Sequence, residues 1–266
     1  PYAKSGGLAD AVAGLATQLG RLGHRVLLFV PYHRQARQRF PHLPRAVAPL
    51  DLPFPGHEVR IELLRHEPAP GVTAYLVRED AAFDRPNLYG TPDADYWDNA
   101  GRFALFCRAV LAGLTALHEG PDVLHAHDWQ AALLPLYQRH RPDYAGPLAG
   151  TPSVLTVHNL AYQGLFPRSA LAYLGVPADL FHLHGVEFFG RLNVLKGGLL
   201  CADALTTVSP RYSEEIRTPA FGEGLDGVLR ERAASLTGIL NGVDYDAWNP
   251  ETDPRIAARY SAADPA

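Results

Sequence analysis

The chain has 266 residues, of which 47% are hydrophobic and 20% are charged, and its formal net charge is −4. A chain of this length and composition can bury a sizeable core, which argues against intrinsic disorder and against a disulfide-stapled mini-protein, and no apolar run is long enough to span a bilayer. The slight acidity and the lack of a basic tail argue against nucleic acid or a membrane surface as a partner.

Two compositional features bear on the origin of the chain. Its two cysteines, Cys107 and Cys201, each lie in an apolar stretch, which is typical of free thiols in a reducing cytoplasm. The chain contains no methionine and begins at Pro1. We therefore expect it to be a piece of a longer cytoplasmic protein.

The first part of the chain predicts a helix, a buried strand and a strand pair. Leucine and valine residues spaced three and four apart predict a helix from Leu8 that ends at Gly23. The apolar run over residues 25–30 predicts a strand buried on both faces. Strands are predicted at 59–64 and 72–77, and the Pro- and Gly-rich segment between them indicates a hairpin loop rather than a domain linker.

The rest of the chain alternates predicted helices and strands. The helices are expected from about Asn99 to Leu117, from about Gln130 to Arg139, from Phe188 to Leu200 and from Ser209-Pro210 onward, and the strands at 122–127, 153–157, 204–208 and 237–240. Alternation of this kind is typical of parallel α/β sheets. We therefore predict one doubly wound α/β domain.

Polar clusters directly follow several predicted strands. They are found at residues 31–33, 125–129, 158–159 and 209–211. Ligands of such sheets bind outside the carboxyl ends of the strands, where these clusters would meet. The pattern therefore predicts a binding site along one rim of the sheet.

The segment Lys4-Ser5-Gly6-Gly7-Leu8-Ala9-Asp10 precedes the first predicted helix. Two glycines let backbone N–H groups approach an anion, the helix N-terminus adds partial positive charge, and Lys4 supplies a full charge, as a phosphate site needs. The segment lacks the Gly-Lys-Ser/Thr of a Walker loop. The alternative is an ordinary Gly-Gly loop with a surface lysine, in which Asp10 complements the helix dipole.

The segment His125-Ala126-His127-Asp128-Trp129 is open to three interpretations. Alternation along a strand places both histidines on one face, so they could hold a metal ion together with Asp128 and His158. The second interpretation is a sugar site, in which His and Asp bind hydroxyl groups and Trp129 or Tyr162 packs against a pyranose face. The third is a hydrogen-bonded histidine pair in the core.

Three further features are interpreted as structural. The segment 222–227 matches the glycine pattern of a dinucleotide site but follows no predicted strand, so we interpret it as a loop. Lys196 lies on a predicted helix and is interpreted as a surface residue with a snorkelling side chain. Two carboxylate pairs are interpreted as solvated loop residues, Asp93 with Asp95 and Asp244 with Asp246.

Taken together, several of these segments resemble one family, the bacterial glycogen synthases and plant starch synthases that use ADP-glucose. The segments that carry the resemblance are Lys4-Ser5-Gly6-Gly7-Leu8-Ala9-Asp10, Tyr96-Trp97-Asp98-Asn99, His125-Ala126-His127-Asp128-Trp129, Thr156-Val157-His158-Asn159-Leu160-Ala161-Tyr162-Gln163-Gly164, Leu240-Asn241-Gly242-Val243-Asp244 and Trp248-Asn249-Pro250-Glu251-Thr252-Asp253. They run in the same order from Pro1 to about Tyr260, which is nearly the whole chain.

The resemblance implies a retaining glucosyltransferase of the GT-B fold that extends an α-1,4-glucan, such as glycogen, with glucose from ADP-glucose in the bacterial cytoplasm, without a metal or other cofactor. Residues 1–266 would be the N-terminal Rossmann-like lobe of two, with the first strand and the C-terminal Rossmann-like domain absent, and the lobe alone would be inactive.

The resemblance also implies site residues. His158 and Asp128 would be catalytic and lie at the transferred glucose. The donor pyrophosphate and the sugars would be bound by Lys4, Ser5, Gly6, Gly7, Asp10, Tyr96, Asn159 and Asn241. Two functions of other classes stay open at this point, a metal-dependent hydrolase built on His125, His127, Asp128 and His158, and a glucan-binding module without chemistry.

Overall fold

The computed structural model describes residues 2–4, 6–245 and 248–264. Its α-helices are α1 Gly7–Arg21, α2 Arg34–Arg39, α3 Asp80–Phe83, α4 Asn99–Ala116, α5 Asp128–Ala131, α6 Leu133–His140, α7 Pro142–Ala145, α8 Ala170–Leu174, α9 Val194–Cys201, α10 Pro210–Glu215 and α11 Asp226–Glu231. Its strands are β1 Val26–Pro31, β2 Leu50–Phe54, β3 His57–Ala69, β4 Val72–Arg78, β5 Leu124–His127, β6 Ser153–Val157, β7 Leu165–Pro167, β8 Glu187–Phe188, β9 Arg191–Asn193, β10 Ala204–Thr207 and β11 Leu236–Gly238.

The described strands form two four-stranded sheets and one three-stranded sheet. The first sheet has the order β1-β4-β3-β2, with β1 parallel to β4 and the other pairs antiparallel. The second sheet has the order β11-β10-β6-β5 and is parallel throughout. The α/β class is confirmed, and the structure divides the predicted single sheet into two.

In the first sheet and the helix before it, most predicted elements are confirmed, but one prediction about burial is wrong. Helix α1, strand β1 and the β3–β4 hairpin lie where the pattern places them, while β2 was not predicted. The prediction that β1 is buried on both faces is wrong, since every one of its residues is only half-buried. The apolar face of α1 is also partly open, since Leu15 and Leu22 are exposed.

A groove of about 640 Å³ explains this partial burial. It lies between the two sheets and is lined by α1 and β1 on one side and by α4 and β5 on the other. Among the described residues, β1 pairs only with β4, and β5 pairs only with β6, so both strands present an unpaired edge. Tyr2 and Ala3 also line this groove.

The second sheet packs against a closed core. Helix α4 is buried on almost all sides, and α6 and α9 cover the sheet. Two predicted helices have other bounds: the one from Gln130 is divided into α5 and α6, and the one from Phe188 begins only at Val194. The latter difference arises because β8 and β9 pair across Gly190, whose φ of +76° permits a tight turn. No helix in the described part of the chain is long and apolar enough to cross a bilayer.

Candidate active site

Asp128 lies where β5 passes into α5, at the carboxyl end of the strand. It is buried, and its φ of +55° is unusual for a residue other than glycine, so the backbone here is strained. Its Oδ1 accepts a hydrogen bond of 2.7 Å from the backbone N–H of His158, and the N–H of Asn159 also donates to the carboxylate. Burial raises the pKa of Asp128 to about 6, against the effect of these two donors.

His158 directly follows β6, the strand beside β5. Its Nε2 lies 3.1 Å from Nδ1 of His127, and the ring of His127 packs at a tilt against that of His125 with centroids 4.2 Å apart. Burial and the nearby imidazole of His125 lower the pKa of His158 to about 4, so its side chain is neutral at physiological pH. The predicted placement of both histidines of β5 on one face is confirmed.

The metal-site interpretation of this cluster is not supported. Nε2 of His125 bonds Oγ1 of Thr156 at 2.6 Å, His127 bonds His158, and Asp128 accepts backbone N–H groups. These polar atoms are directed at one another rather than at a common point. Within residues 2–4, 6–245 and 248–264, no three His, Cys, Asp or Glu side chains are arranged to hold a metal ion.

Trp129 does not have the sugar-stacking position proposed for it. Its side chain is buried and contacts Phe103 and Phe166 at centroid distances of 4.9 and 5.7 Å. Gly164 lies so close that a Cβ there would be 2.5 Å from the indole. Tyr162, the other aromatic candidate, has 65% of its surface exposed and is free to meet a ligand.

The segment after β6 is fixed by polar contacts. Asn159 is exposed, and its Oδ1 accepts from the N–H of Ala161 at 3.0 Å, which closes a local turn. Gln163 is buried, and its Oε1 accepts a hydrogen bond of 2.6 Å from Asn193. His158 and Asn159 therefore project from a loop held at both ends.

Tyr96 is held at the entrance to α4. The guanidinium groups of Arg85 and Arg102 lie 4.9 and 5.1 Å from the centre of its ring. Arg102 is only 3% exposed and donates to the carbonyl of Ala82 at 2.7 Å, and Arg85 bonds Asp98 at 2.9 Å. Sequence reasoning missed this pair of arginines, because arginines are usually exposed and no motif marks a buried one.

The predicted phosphate loop is open to solvent. Nζ of Lys4 pairs with Asp10 at 2.7 Å, and both side chains are more than 60% exposed. Helix α1 begins at Gly7, and within the described residues it has no side-chain cap and a Cβ added at Gly6 or Gly7 would have no neighbour within 4 Å. An anion could therefore approach these backbone N–H groups. Ser5 lies outside the described residues.

The remaining predictions are placed as follows. Asn241 is exposed beyond the end of β11, and Asp93 and Asp95 are exposed in a loop, whereas Asp246 lies outside the described residues. The segment 222–227 follows turns rather than a strand, as the loop interpretation predicts.

The interpretation of Lys196 as a surface residue is wrong. Lys196 is 4% exposed, and its Nζ donates to the carbonyls of Leu183 and Glu187, both at 2.6 Å. Burial lowers its pKa. The side chain therefore ties α9 to the segment before β9, a structural role that the helix pattern did not reveal.

The sequence of this chain is similar to a known family and to several curated proteins. Residues 1–231 match the family described as the starch synthase catalytic domain. The chain is 44% identical to a glycogen synthase of Opitutus terrae and 45% identical to glycogen synthase 2 of Geobacter sulfurreducens, covering 99% and 98% of this chain but 55% and 54% of those proteins. The chain thus spans about half the length of the curated relatives it matches.

A solved structure agrees with the sequence relatives. The catalytic domain of starch synthase IV from Arabidopsis thaliana, bound to ADP and acarbose, matches with a TM-score of 0.83 and 32% identity. The match covers 99% of this chain and 54% of that one. The matched proteins are synthases, and none of these matches supports the hydrolase or the glucan-binding module.

Proposed function

The chain belongs to the starch synthase catalytic domain family, and from this we propose that it is part of a retaining glucosyltransferase. The reaction transfers glucose from ADP-glucose to the non-reducing end of an α-1,4-glucan such as glycogen. The chain contributes the acceptor side and half of the donor site, and it is inactive by itself. The chain has two free thiols, which are typical of a reducing compartment, so the bacterial cytoplasm stays the predicted location.

One observation carries this proposal: Asp128 and His158 meet at the carboxyl ends of neighbouring parallel strands. That edge is where α/β sheets bind their ligands. The Arabidopsis relative, at 32% identity over 99% of this chain, is bound to ADP and acarbose, which supports a nucleotide-bearing donor here too.

His158 and Asp128 are the proposed catalytic residues, and their charge states suit glucosyl transfer. Positive charge develops on the sugar ring in the transition state. A neutral imidazole at His158 can hydrogen-bond a sugar hydroxyl without adding positive charge beside that ring. Asp128, with a pKa of about 6, is mostly ionised at pH 7 and adds negative charge while it holds the backbone of His158 and Asn159.

The loop from Lys4 to Gly7 is the proposed pyrophosphate site. Its glycine N–H groups, the N-terminus of α1 and Lys4 would stabilise the charge of the leaving ADP, with Ser5 as a further binding residue. Lys4 has to turn away from Asp10 to do so, and the cost is small because an exposed ion pair contributes about 0–1 kcal/mol.

Asp10, Tyr96, Asn159 and Asn241 complete the proposed substrate-binding set, with Tyr96 and Asn241 near the donor sugar or the acceptor. Tyr96 is held between two arginines, and Asn159 is exposed beside His158. We propose that the reaction uses no metal or other cofactor, since ADP-glucose is a substrate rather than a cofactor. The side chains named here would then stabilise the leaving group in place of a metal ion. Added EDTA should then leave the transfer rate unchanged.

We also propose that the lobe is completed by one parallel strand and by a second Rossmann-like domain. The groove between β1 and β5 supports the strand, because within the described part of the chain both edges are unpaired and both strands are parallel to their neighbours. Among the described residues, the buried Nδ1 of His33, a residue that lines this groove, has no hydrogen-bond partner, and a donor from the additional strand would satisfy it.

The test is transfer of labelled glucose from ADP-glucose to glycogen by the protein extended to the full length of its relatives. Lys4→Ala should lower the rate at least tenfold, about 1.4 kcal/mol or more of transition-state stabilisation. Arg21→Ala, at the far end of the same helix, is the matched control and should leave the rate unchanged. An equal rate for Lys4→Ala and the wild type would contradict the pyrophosphate role, and no transfer by the wild type would contradict the function.

A further inference from the structure

His127 and His158 are brought together by the pairing of two strands. His127 is the last residue of β5 and lies opposite Thr156 of β6, so its side chain reaches the residue just past the end of β6. The result is the contact of 3.1 Å between Nδ1 of His127 and Nε2 of His158, with ring centroids 5.3 Å apart. The sheet register therefore fixes this contact.

His127 is itself held in place from the opposite side. The ring of His125 packs against it, and Nε2 of His125 bonds Oγ1 of Thr156. Oγ1 of Thr156 in turn lies 2.5 Å from Oγ1 of Thr206 on β10. A row of side-chain contacts thus crosses three adjacent strands and ends on the imidazole of His158.

The contact between the two rings also couples the positions of the protons on their nitrogens. Burial and the neighbouring imidazoles lower the pKa of His127 well below its usual range, and the pKa of His158 is lowered as well, so both rings are neutral. In a hydrogen bond between two neutral imidazoles, one nitrogen donates and the other accepts. This bond couples the two tautomers: His158 carries its proton on Nδ1 when its Nε2 accepts, and on Nε2 when its Nε2 donates.

We propose that His127 is a positioning residue that holds the imidazole of His158 in one orientation and one tautomer. The nitrogen of His158 that does not face His127 is Nδ1, and the tautomer decides whether Nδ1 donates or accepts a hydrogen bond. A fixed tautomer lets His158 present one defined polar group to a sugar hydroxyl. The catalytic consequence rests on the proposed glucosyl transfer, whereas the geometric claim concerns this chain alone.

The first experiment measures the ring nitrogens of His158 by nitrogen-15 NMR on the 266-residue chain at neutral pH. In the wild type, one nitrogen should carry the proton and the other should not. His127→Leu should give averaged signals of two exchanging tautomers, and His127→Asn, whose amide can still reach Nε2, should leave the ring more ordered than Leu does. His42→Leu, at an exposed histidine, is the control.

The second experiment measures steady-state transfer by the full-length protein. His127→Leu should lower kcat about tenfold or more while the KM for the donor changes little, and His127→Asn should recover most of the rate. A fixed tautomer of His158 in the Leu variant, or equal loss in the Leu and Asn variants, would overturn the proposal. Absence of transfer by the wild type would contradict the function instead, and the NMR result would still decide the positioning role.

Discussion

The two halves of the described structure differ in how completely they are packed. Around β5 and β6 the side chains are fixed: Asp128 holds two backbone N–H groups, and Trp129 is enclosed by aromatic rings. Around α1 and β1 the apolar surfaces are half-buried, and the Nζ of Lys4 pairs with the exposed carboxylate of Asp10. The residues that we place at the transferred sugar are thus preorganised, whereas those placed at the pyrophosphate are not.

This difference in packing suits the two proposed roles, stabilising the transition state and binding the pyrophosphate. Stabilising a transition state needs groups that do not move as charge develops, so a buried and strained Asp128 is appropriate there. Binding a large anion from solvent needs accessible N–H groups and a lysine that can change partners, as Lys4 can. The comparison therefore predicts that equivalent substitutions have unequal effects in the two halves.

The largest difference is expected for glycine substitutions. Gly164→Ala places a Cβ 2.5 Å from the indole of Trp129 at a φ of +64°, so it should lower the free energy of unfolding by about 2 to 4 kcal/mol. Gly14→Ala in α1 places a Cβ that meets no described atom within 4 Å, so it should raise the free energy of unfolding by about 0.5 to 1 kcal/mol. Urea unfolding of both variants measures the contrast, and equal effects would refute it.

The next effect concerns acid sensitivity at the end of β1. Burial and the charge of Arg102 lower the pKa of His33 to about 4, so its contribution to stability is present above pH 6.5 and is lost as the pH falls toward 4. Protonation of His33 should therefore lower the free energy of unfolding by roughly 2 to 3 kcal/mol as the pH falls over that range. His33→Phe should reduce the pH dependence of unfolding by that amount, and an unchanged slope would show that His33 is protonated in the folded chain.

The smallest effect is expected at the phosphate loop. Asp10→Asn removes the partner of Lys4, and because both side chains are exposed, the free energy of unfolding should change by about 0.5 kcal/mol or less. Thermal and urea unfolding of this variant would show whether the loop is as loosely held as its exposure indicates. A loss above about 1 kcal/mol would mean that the loop is part of a packed unit after all.

Much of the site could be predicted, because its signals are local in sequence. The spacing of apolar residues predicts α1, and the polar residues after β5 and β6 predict the rim where Asp128 and His158 meet. What could not be predicted depends on tertiary packing. Neither the burial of Lys196 nor that of Trp129 follows from its own segment, since distant residues provide the partners.

The division of the sheet is the other feature that local patterns could not reveal. The apolar run of β1 is compatible with burial on both faces, and only the strand order shows that one of its edges has no partner among the described residues. The φ of Asp128 is similarly hidden, since positive φ is uncommon for a residue other than glycine and no turn glycine marks the position.

The central claim is that the rim at the carboxyl ends of β5 and β6 carries the proposed chemistry. The most direct test is the rate of glucose transfer from ADP-glucose to glycogen by the full-length protein with His158→Ala. We predict a loss of about 100-fold or more, with the free energy of unfolding within about 1 kcal/mol of the wild type, because the side chain is only partly buried. A transfer rate equal to that of the wild type would contradict the account.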